Sequence, residues 1–347
     1  MRVLVLGGTR FLGRAVVAAA LAAGDDVTTF TRGVSGKPPD PVEALYGDRG
    51  VPNDLGVLKG RQFDVVVDTS GYEPRVVRDS ARLLAPSAGH YVFVSTLNVF
   101  PGWPERPVGA DSPVHDGTPD AVTGDAPDDP VARYGWLKAG CERAVEREFG
   151  DRSTMTRAGL LIGPHDDTGR LTWWLRRVAR GGEVLAPGRP DRRMALADVR
   201  DLATWMLRCG RDGVAGSFIT TGPAGQVSFE GLLDACRTAT GSDGRFSWLP
   251  DDFLTAHEVT PWTDLPLWLP EAIGPAAFDH DTGPAEQAGL RFRPVARSVA
   301  ETWAWLRTTP DPAHDSERPS TGIDPEKEQA VLDAWHAAGG SADGSQV

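Results

Sequence analysis

Arg2-Val3-Leu4-Val5-Leu6 runs directly into Gly7-Gly8-Thr9-Arg10-Phe11-Leu12-Gly13, and the Ala-rich stretch Arg14 to Leu21 follows as a helix former. An all-aliphatic run of this length fits a strand buried on both faces, and the glycines after it fit a tight turn into a helix. Strand, turn and helix N-terminus together make a seat for pyrophosphate. The backbone can approach the phosphates closely, and the first helical amides point at the negative charge. Thr9, Phe11 and Leu12 belong to that seat by position. Arg10 stands where the middle glycine of a G-x-x-G-x-x-G spacing falls. The alternative is a plain strand-to-helix turn, which the strand immediately before it disfavours.

Further strands follow at Asp26 to Thr31, Phe63 to Asp68 and His90 to Val94, with helical patterning around Arg75 to Leu84. Strands alternating with helices predict an α/β fold, a doubly wound parallel sheet whose ligands sit at the carboxyl ends of the strands. Pro101 to Pro130 is rich in Pro, Gly and Asp and reads as a long surface loop, either a lid over the substrate or a solvated insertion. Asp129-Pro130 supplies an N-cap and first residue for a helix through Phe149, and Met155 to Pro164 reads as strand and turn. Beyond Thr168 come Trp-rich helices, Pro turns and a helix over Asp198 to Arg208. The expected organisation is therefore a nucleotide-binding domain over 1–165, including the loop 101–130. A smaller C-terminal α/β lobe over 166–310 returns in part to the sheet, and a polar tail over 311–347 holds one last helix, Pro325 to Ala338.

The chain has 347 residues, with 36 basic against 48 acidic side chains and a net charge of −12. That balance disfavours nonspecific binding to nucleic acid or an anionic membrane. Cys141, Cys209 and Cys236 are far apart, so neither a disulfide framework nor a zinc ribbon is indicated, and the seven His show no ligand spacing. No apolar stretch approaches the roughly 18 residues of a membrane span. The expectation is a cytoplasmic protein with no metal.

Within the helix after Pro130 stands Tyr134-Gly135-Trp136-Leu137-Lys138. The i, i+4 spacing puts phenol and ammonium on one face, where a cation favours the phenolate and lets Tyr134 serve as general acid or base near neutral pH. A surface pair is the bland alternative. At the end of the His90 to Val94 strand comes Ser95-Thr96-Leu97-Asn98-Val99-Phe100.

With the Gly7 to Gly13 turn, these segments resemble the short-chain dehydrogenase/reductase superfamily, in its extended and atypical branch of NAD-dependent epimerase/dehydratase-like proteins. The likeness covers about the first 165 residues, and Arg157-Ala158-Gly159, Gly163-Pro164 and Asp198-Val199-Arg200-Asp201 continue it to about 205. The resemblance implies a Rossmann fold and a homodimer. It gives catalytic roles to Thr96, which would hydrogen-bond the reacting oxygen, to Tyr134, which would exchange the proton, and to Lys138, which would hold the nicotinamide ribose and lower the Tyr134 pKa. An ordinary turn at the strand end is the other reading of Thr96. Sugar dehydratases of the family carry an Asp-Glu pair where this chain has Leu97 and Asn98, which argues against that reaction.

The second strand ends in Thr31-Arg32 with no acid to accept a ribose 2'-hydroxyl. Arg32 and Arg10 suit a 2'-phosphate instead, so NADP(H) is expected over NAD(H). Asp48 and Arg49 resemble the family's adenine-binding segment, Ser70 the ribose side, and Gly159 a close approach to the cofactor. On the substrate side the residues assigned are Asn98, Arg170, Trp174 and Arg193, although most of the eleven Trp are expected to fill the core of the small lobe. The reading is an NADP(H)-dependent oxidoreductase acting on a carbonyl or secondary alcohol of a polar small molecule. A nucleotide-sugar epimerase with tightly held NAD is the alternative. A third reading comes from relatives with the same glycine opening, the chloroplast RNA-binding proteins, and the acidic balance speaks against it.

Overall fold

A computed structural model describes residues 1–51, 53–309 and 321–340. Seven parallel strands form the central sheet: β1 (Arg2–Leu6), β2 (Asp26–Thr31), β3 (Glu43–Tyr46), β4 (Phe63–Asp68), β5 (Ala88–Thr96), β6 (Ser153–Ala158) and, after four strands of the second lobe, β11 (Gly216–Thr220). Their order is β11-β6-β5-β4-β1-β2-β3. The order reverses between β1 and β4, which opens a crevice at the carboxyl ends of those two strands.

Both faces are covered. Helices α1 (Phe11–Ala22) and α5 (Val199–Asp212) bury one, through Val16, Val17, Leu202 and Met206 against Val3, Val5 and Val65. Helices α2 (Pro74–Leu84) and α3 (Pro130–Phe149) bury the other, through Val77, Leu84, Cys141 and Val145 against Leu4, Leu6 and Phe93. Alternate residues of β1 thus point to opposite cores, which explains an uninterrupted aliphatic run. α3 begins as its sequence requires, with the Asp129 carboxylate accepting from the Ala132 amide at 2.8 Å and Pro130 in the first turn.

The second lobe contains β7 (Leu160–Ile162), α4 (Arg170–Ala179), β8 (Glu183–Pro187), β9 (Arg193–Met194), β10 (Leu196–Asp198), β12 (Val227–Ser228), α6 (Phe229–Thr240) and β13 (Arg245–Leu249). Short helices α7 (Asp251–Ala256), α8 (Gly274–Ala277) and α9 (Gly283–Gln287) lead to α10 (Val295–Leu306). Most of the tryptophans lie here: Trp174 and Trp268 are fully buried in the lobe's core, and Trp173, Trp248, Trp262, Trp303, Trp305 and Trp335 pack against it. The last helix, α11 (Pro325–Ala337), docks on this lobe through a buried ion pair between Glu328 and Arg177 of α4 at 2.6 Å. Of the tail expected over 311–347, residues 311–320 and 341–347 lie outside the described residues. No helix among the described residues is long and apolar enough to cross a membrane.

Candidate active site

A single cleft of about 1370 Å³ runs across the carboxyl ends of β1, β2, β4 and β5 and on to the second lobe. At its sheet end lies the glycine turn. Gly7 and Gly8 have φ of 106° and 107°, in the region that favours glycine. A Cβ on Gly13 would stand 2.7 Å from the Gly8 amide nitrogen, and one on Gly7 would overlap Thr69 Oγ1. Arg10 has φ −120° and ψ 151°, extended backbone that any residue adopts, so no glycine is needed there.

Gly7, Thr9, Arg10, Phe11, Leu12, Gly13, Arg32, Asp48, Arg49, Ser70 and Gly159 all line this cleft, as do Thr96, Asn98, Tyr134 and Arg170. The two arginines differ in setting. Arg32 follows the end of β2, where Thr31 Oγ1 accepts from the Gly33 amide at 3.2 Å. The Arg10 guanidinium lies 3.8 Å from the Asp167 carboxylate, on the side of the second lobe. Asp48 turns its carboxylate to the Gly50 amide at 2.8 Å. Arg49 departs most from its expected role: it lies within a buried network, 2.8 Å from Asp68 and 3.2 Å from Ser80, and the Tyr91 hydroxyl donates to Asp68 at 2.8 Å. Burial alone would raise the Asp68 carboxyl, but the Arg49 charge and its hydrogen bonds hold it below the ordinary range. Arg49 braces the β4 terminus beneath the cleft.

Where β5 ends, the Thr96 hydroxyl donates to Asn98 Oδ1 at 3.0 Å and accepts from the Asn98 amide at 3.2 Å. It therefore does cap the turn at the strand end, and it lines the same cleft as the Tyr134 phenol. Tyr134 is 39% exposed. Desolvation by the surrounding cleft, with the Tyr72 phenol nearby, pushes the Tyr134 hydroxyl up to about 12 against the opposing effects of Thr96 and Arg170.

Lys138 corrects its expected role. It is only 3% exposed and does not line the cleft; its ammonium donates to Gly71 O at 2.8 Å and to Val94 O at 2.5 Å and lies 4.1 Å from the centre of the Phe93 ring. Burial lowers its own pKa, and its charge is spent joining the ends of β4 and β5. The Tyr134 hydroxyl is shifted upward by desolvation and the Tyr72 phenol, and Lys138 is not among the groups that act on it.

Two substrate-side expectations are also corrected. Trp174 is fully buried in the core of the second lobe, its indole donating to Pro266 O at 2.7 Å. Arg193 lies exposed on β9, paired with β12, with its side chain along Gly225 and outside the cleft. Arg170 does reach the cleft, with its guanidinium 5.0 Å from the Trp262 ring centre.

Several lining residues escaped sequence reasoning: Tyr72, Trp103, His115, Asp167 and Leu269. They come from loops distant in sequence, and no periodic pattern marks them. Pro101, Trp103, Pro104, Glu105 and His115 show that the long loop supplies a wall of the cleft, and Trp103 ties it to the second lobe by donating to Ala277 O at 3.2 Å. Among the described residues, no three His, Cys, Asp or Glu gather as a metal site.

Comparison with known proteins places this geometry. The profile of the NAD dependent epimerase/dehydratase family matches residues 3–218. The isoflavone reductase homolog IRL of Zea mays is 27% identical over 325 residues, 85% of this chain and 90% of that protein. The chloroplast stem-loop binding protein of 41 kDa b of Arabidopsis thaliana is 26% identical over 257 residues, 69% of this chain and only 63% of that protein. The Bordetella bronchiseptica enzyme WbmH, solved in complex with NAD+, superposes with a TM-score of 0.64 at 20% identity, covering 88% of this chain and 98% of its own.

Proposed function

The chain belongs to the NAD dependent epimerase/dehydratase family of oxidoreductase-type enzymes, and from that premise we propose that it is an NADP(H)-dependent oxidoreductase acting on a carbonyl or secondary alcohol of a polar small molecule. The observation that carries this reading is that Thr96 and Tyr134 line the same cleft as the glycine turn. The cradle suits a dinucleotide, since Gly7 and Gly13 have no room for a side chain and a Cβ on Gly159 would stand 2.5 Å from Thr221. A nicotinamide dinucleotide bound there supplies or accepts hydride.

The chain's own residues account for the rest. Amides at the start of α1 face a pyrophosphate, and Arg32 offers its guanidinium to a 2'-phosphate where an acid would repel it. Thr96, oriented by Asn98, hydrogen-bonds the substrate oxygen. Tyr134 gives that oxygen a proton during reduction or removes it during oxidation. Lys138 keeps the β4 and β5 ends in register beneath them. Replacing Tyr134 with Phe is expected to lower turnover at least a hundredfold with NADPH affinity kept within twofold, and full turnover in that variant would overturn the mechanism.

A second reading, a nucleotide-sugar epimerase holding NAD tightly, draws on the family and on a cleft that extends past Tyr134 to Trp262 and Leu269. Identifying what the purified protein releases on denaturation separates the two: retained NAD supports the epimerase, and an empty protein that binds free NADPH supports the reductase. The chloroplast relative raises RNA binding. With a net charge of −12, no RNA retention is expected on a filter at physiological salt.

A further inference from the structure

Trp262 holds an unusual backbone. Its φ is 68°, a left-handed conformation that a bulky side chain adopts only when its surroundings impose it, and Leu267 a few residues on has φ 69°. The constraints are visible. Thr263 N donates to Pro261 O at 2.7 Å, the Asp264 carboxylate accepts from the Thr260 amide at 2.9 Å, and Trp174 holds Pro266 O. The remaining ties come from the far end of the chain: Gly322 N donates to Thr263 O at 2.7 Å, and Lys327 of α11 donates both to Asp264 at 2.8 Å and to Glu258 O at 2.8 Å. Gly322 packs directly on the Trp173 indole, and Thr321 sits beside Gly169, the residue before Arg170. The C-terminal segment therefore grips both sides of the Trp262–Arg170 pair, and both residues of that pair line the cleft. Of the residues that hold the turn, Thr321, Gly322 and Lys327 lie beyond 218, where the family match ends.

We propose that α11 is part of the substrate site: by holding the turn at Pro261–Leu265 it sets Trp262, and through the Trp262 ring the Arg170 guanidinium, at the substrate end of the cleft. Lys327 is then a positioning residue that acts on substrate selection from outside the cleft. The inference rests on the reading that substrate enters at this end. It adds that α11, acting through the Pro261–Leu265 turn, takes part in substrate choice.

The test compares the full-length protein with its Lys327→Ala and Lys327→Arg variants by hydrogen–deuterium exchange and by NADPH titration. Lys327→Ala is expected to speed amide exchange at least threefold in 258–269 with little change in 1–100, to leave the NADPH Kd within twofold, and to be rescued by Lys327→Arg. For any carbonyl compound that wild-type protein reduces, Lys327→Ala should raise KM at least fivefold with kcat within twofold. Unchanged exchange in 258–269, or faster exchange spread over the whole second lobe, overturns the proposal, as does an unchanged KM. Failure of wild-type protein to bind NADPH overturns the functional reading instead, and the exchange measurement still decides whether α11 grips this turn.

Discussion

Tyr134 and Lys138 stand one helical turn apart on α3 yet serve different surroundings: the phenol lines the cleft with Thr96, and the ammonium is buried against the carbonyls of Gly71 and Val94. The i, i+4 relationship read from sequence is real as spacing, but the lysine's charge is directed into the sheet.

A pH profile tests the consequence. With the phenol pushed up to about 12, Tyr134 stays protonated through neutral pH and is ready as an acid. Reduction should show a flat kcat/KM from pH 7 to about 9.5, and oxidation should rise about tenfold per pH unit over that range, because the base form is the minor one. A break near pH 7 in either direction that tracks Tyr134 contradicts this assignment.

The glycine turn makes a separate prediction. In Gly13→Ala the new methyl group meets the Gly8 amide nitrogen at 2.7 Å, so the turn must open to admit it. NADPH affinity is expected to fall at least tenfold by fluorescence titration, with a lower Tm. An unchanged Kd would mean that the turn is not the pyrophosphate seat.

Docking of α11 depends on Glu328, whose carboxylate takes Arg177 Nε at 2.6 Å in a setting where both side chains are under a tenth exposed. The carboxylate also accepts from the Leu185 amide at 3.2 Å. Glu328→Ala leaves a buried guanidinium without its counter-charge, which costs about 3 kcal/mol or more. Urea denaturation should read that loss.

His280 ties stability to pH. It is buried, and desolvation pushes its pKa down to about 4 from an ordinary 6.5. The unfolded chain therefore binds a proton that the folded one refuses between those values, so stability is lost as pH falls from about 6.5 toward 4. The full effect approaches about 3 kcal/mol at the acid end. Denaturation midpoints across that range should fall in the wild type and flatten in His280→Asn.

Legibility in the sequence followed the range of the interactions. The Arg2 to Gly13 segment was readable because both its aliphatic run and its glycines answer local demands, burial on two faces and a close turn. The edge strand Glu43–Tyr46 was not, since its Glu43-Ala44-Leu45-Tyr46 composition carries no strand pattern and pairing with β2 creates it. Trp173 and Trp174 are neighbours in sequence, yet only packing decides that Trp174 fills the core. Arg177 meets a partner 151 residues away, and Trp262 owes its place in the cleft to a helix at the far end of the chain. Arg10 was legible as a departure from the glycine pattern, but its lean toward Asp167 depends on how the second lobe folds back.

The central claim is tested most directly by titrating the purified protein with NADPH and with NADH, alongside Arg32→Glu. Wild-type protein is expected to bind NADPH at least tenfold more tightly than NADH, and Arg32→Glu should erase or reverse that preference by placing an acid at the end of β2. Equal affinity for the two cofactors in wild-type protein, or a preference untouched by Arg32→Glu, would contradict the account.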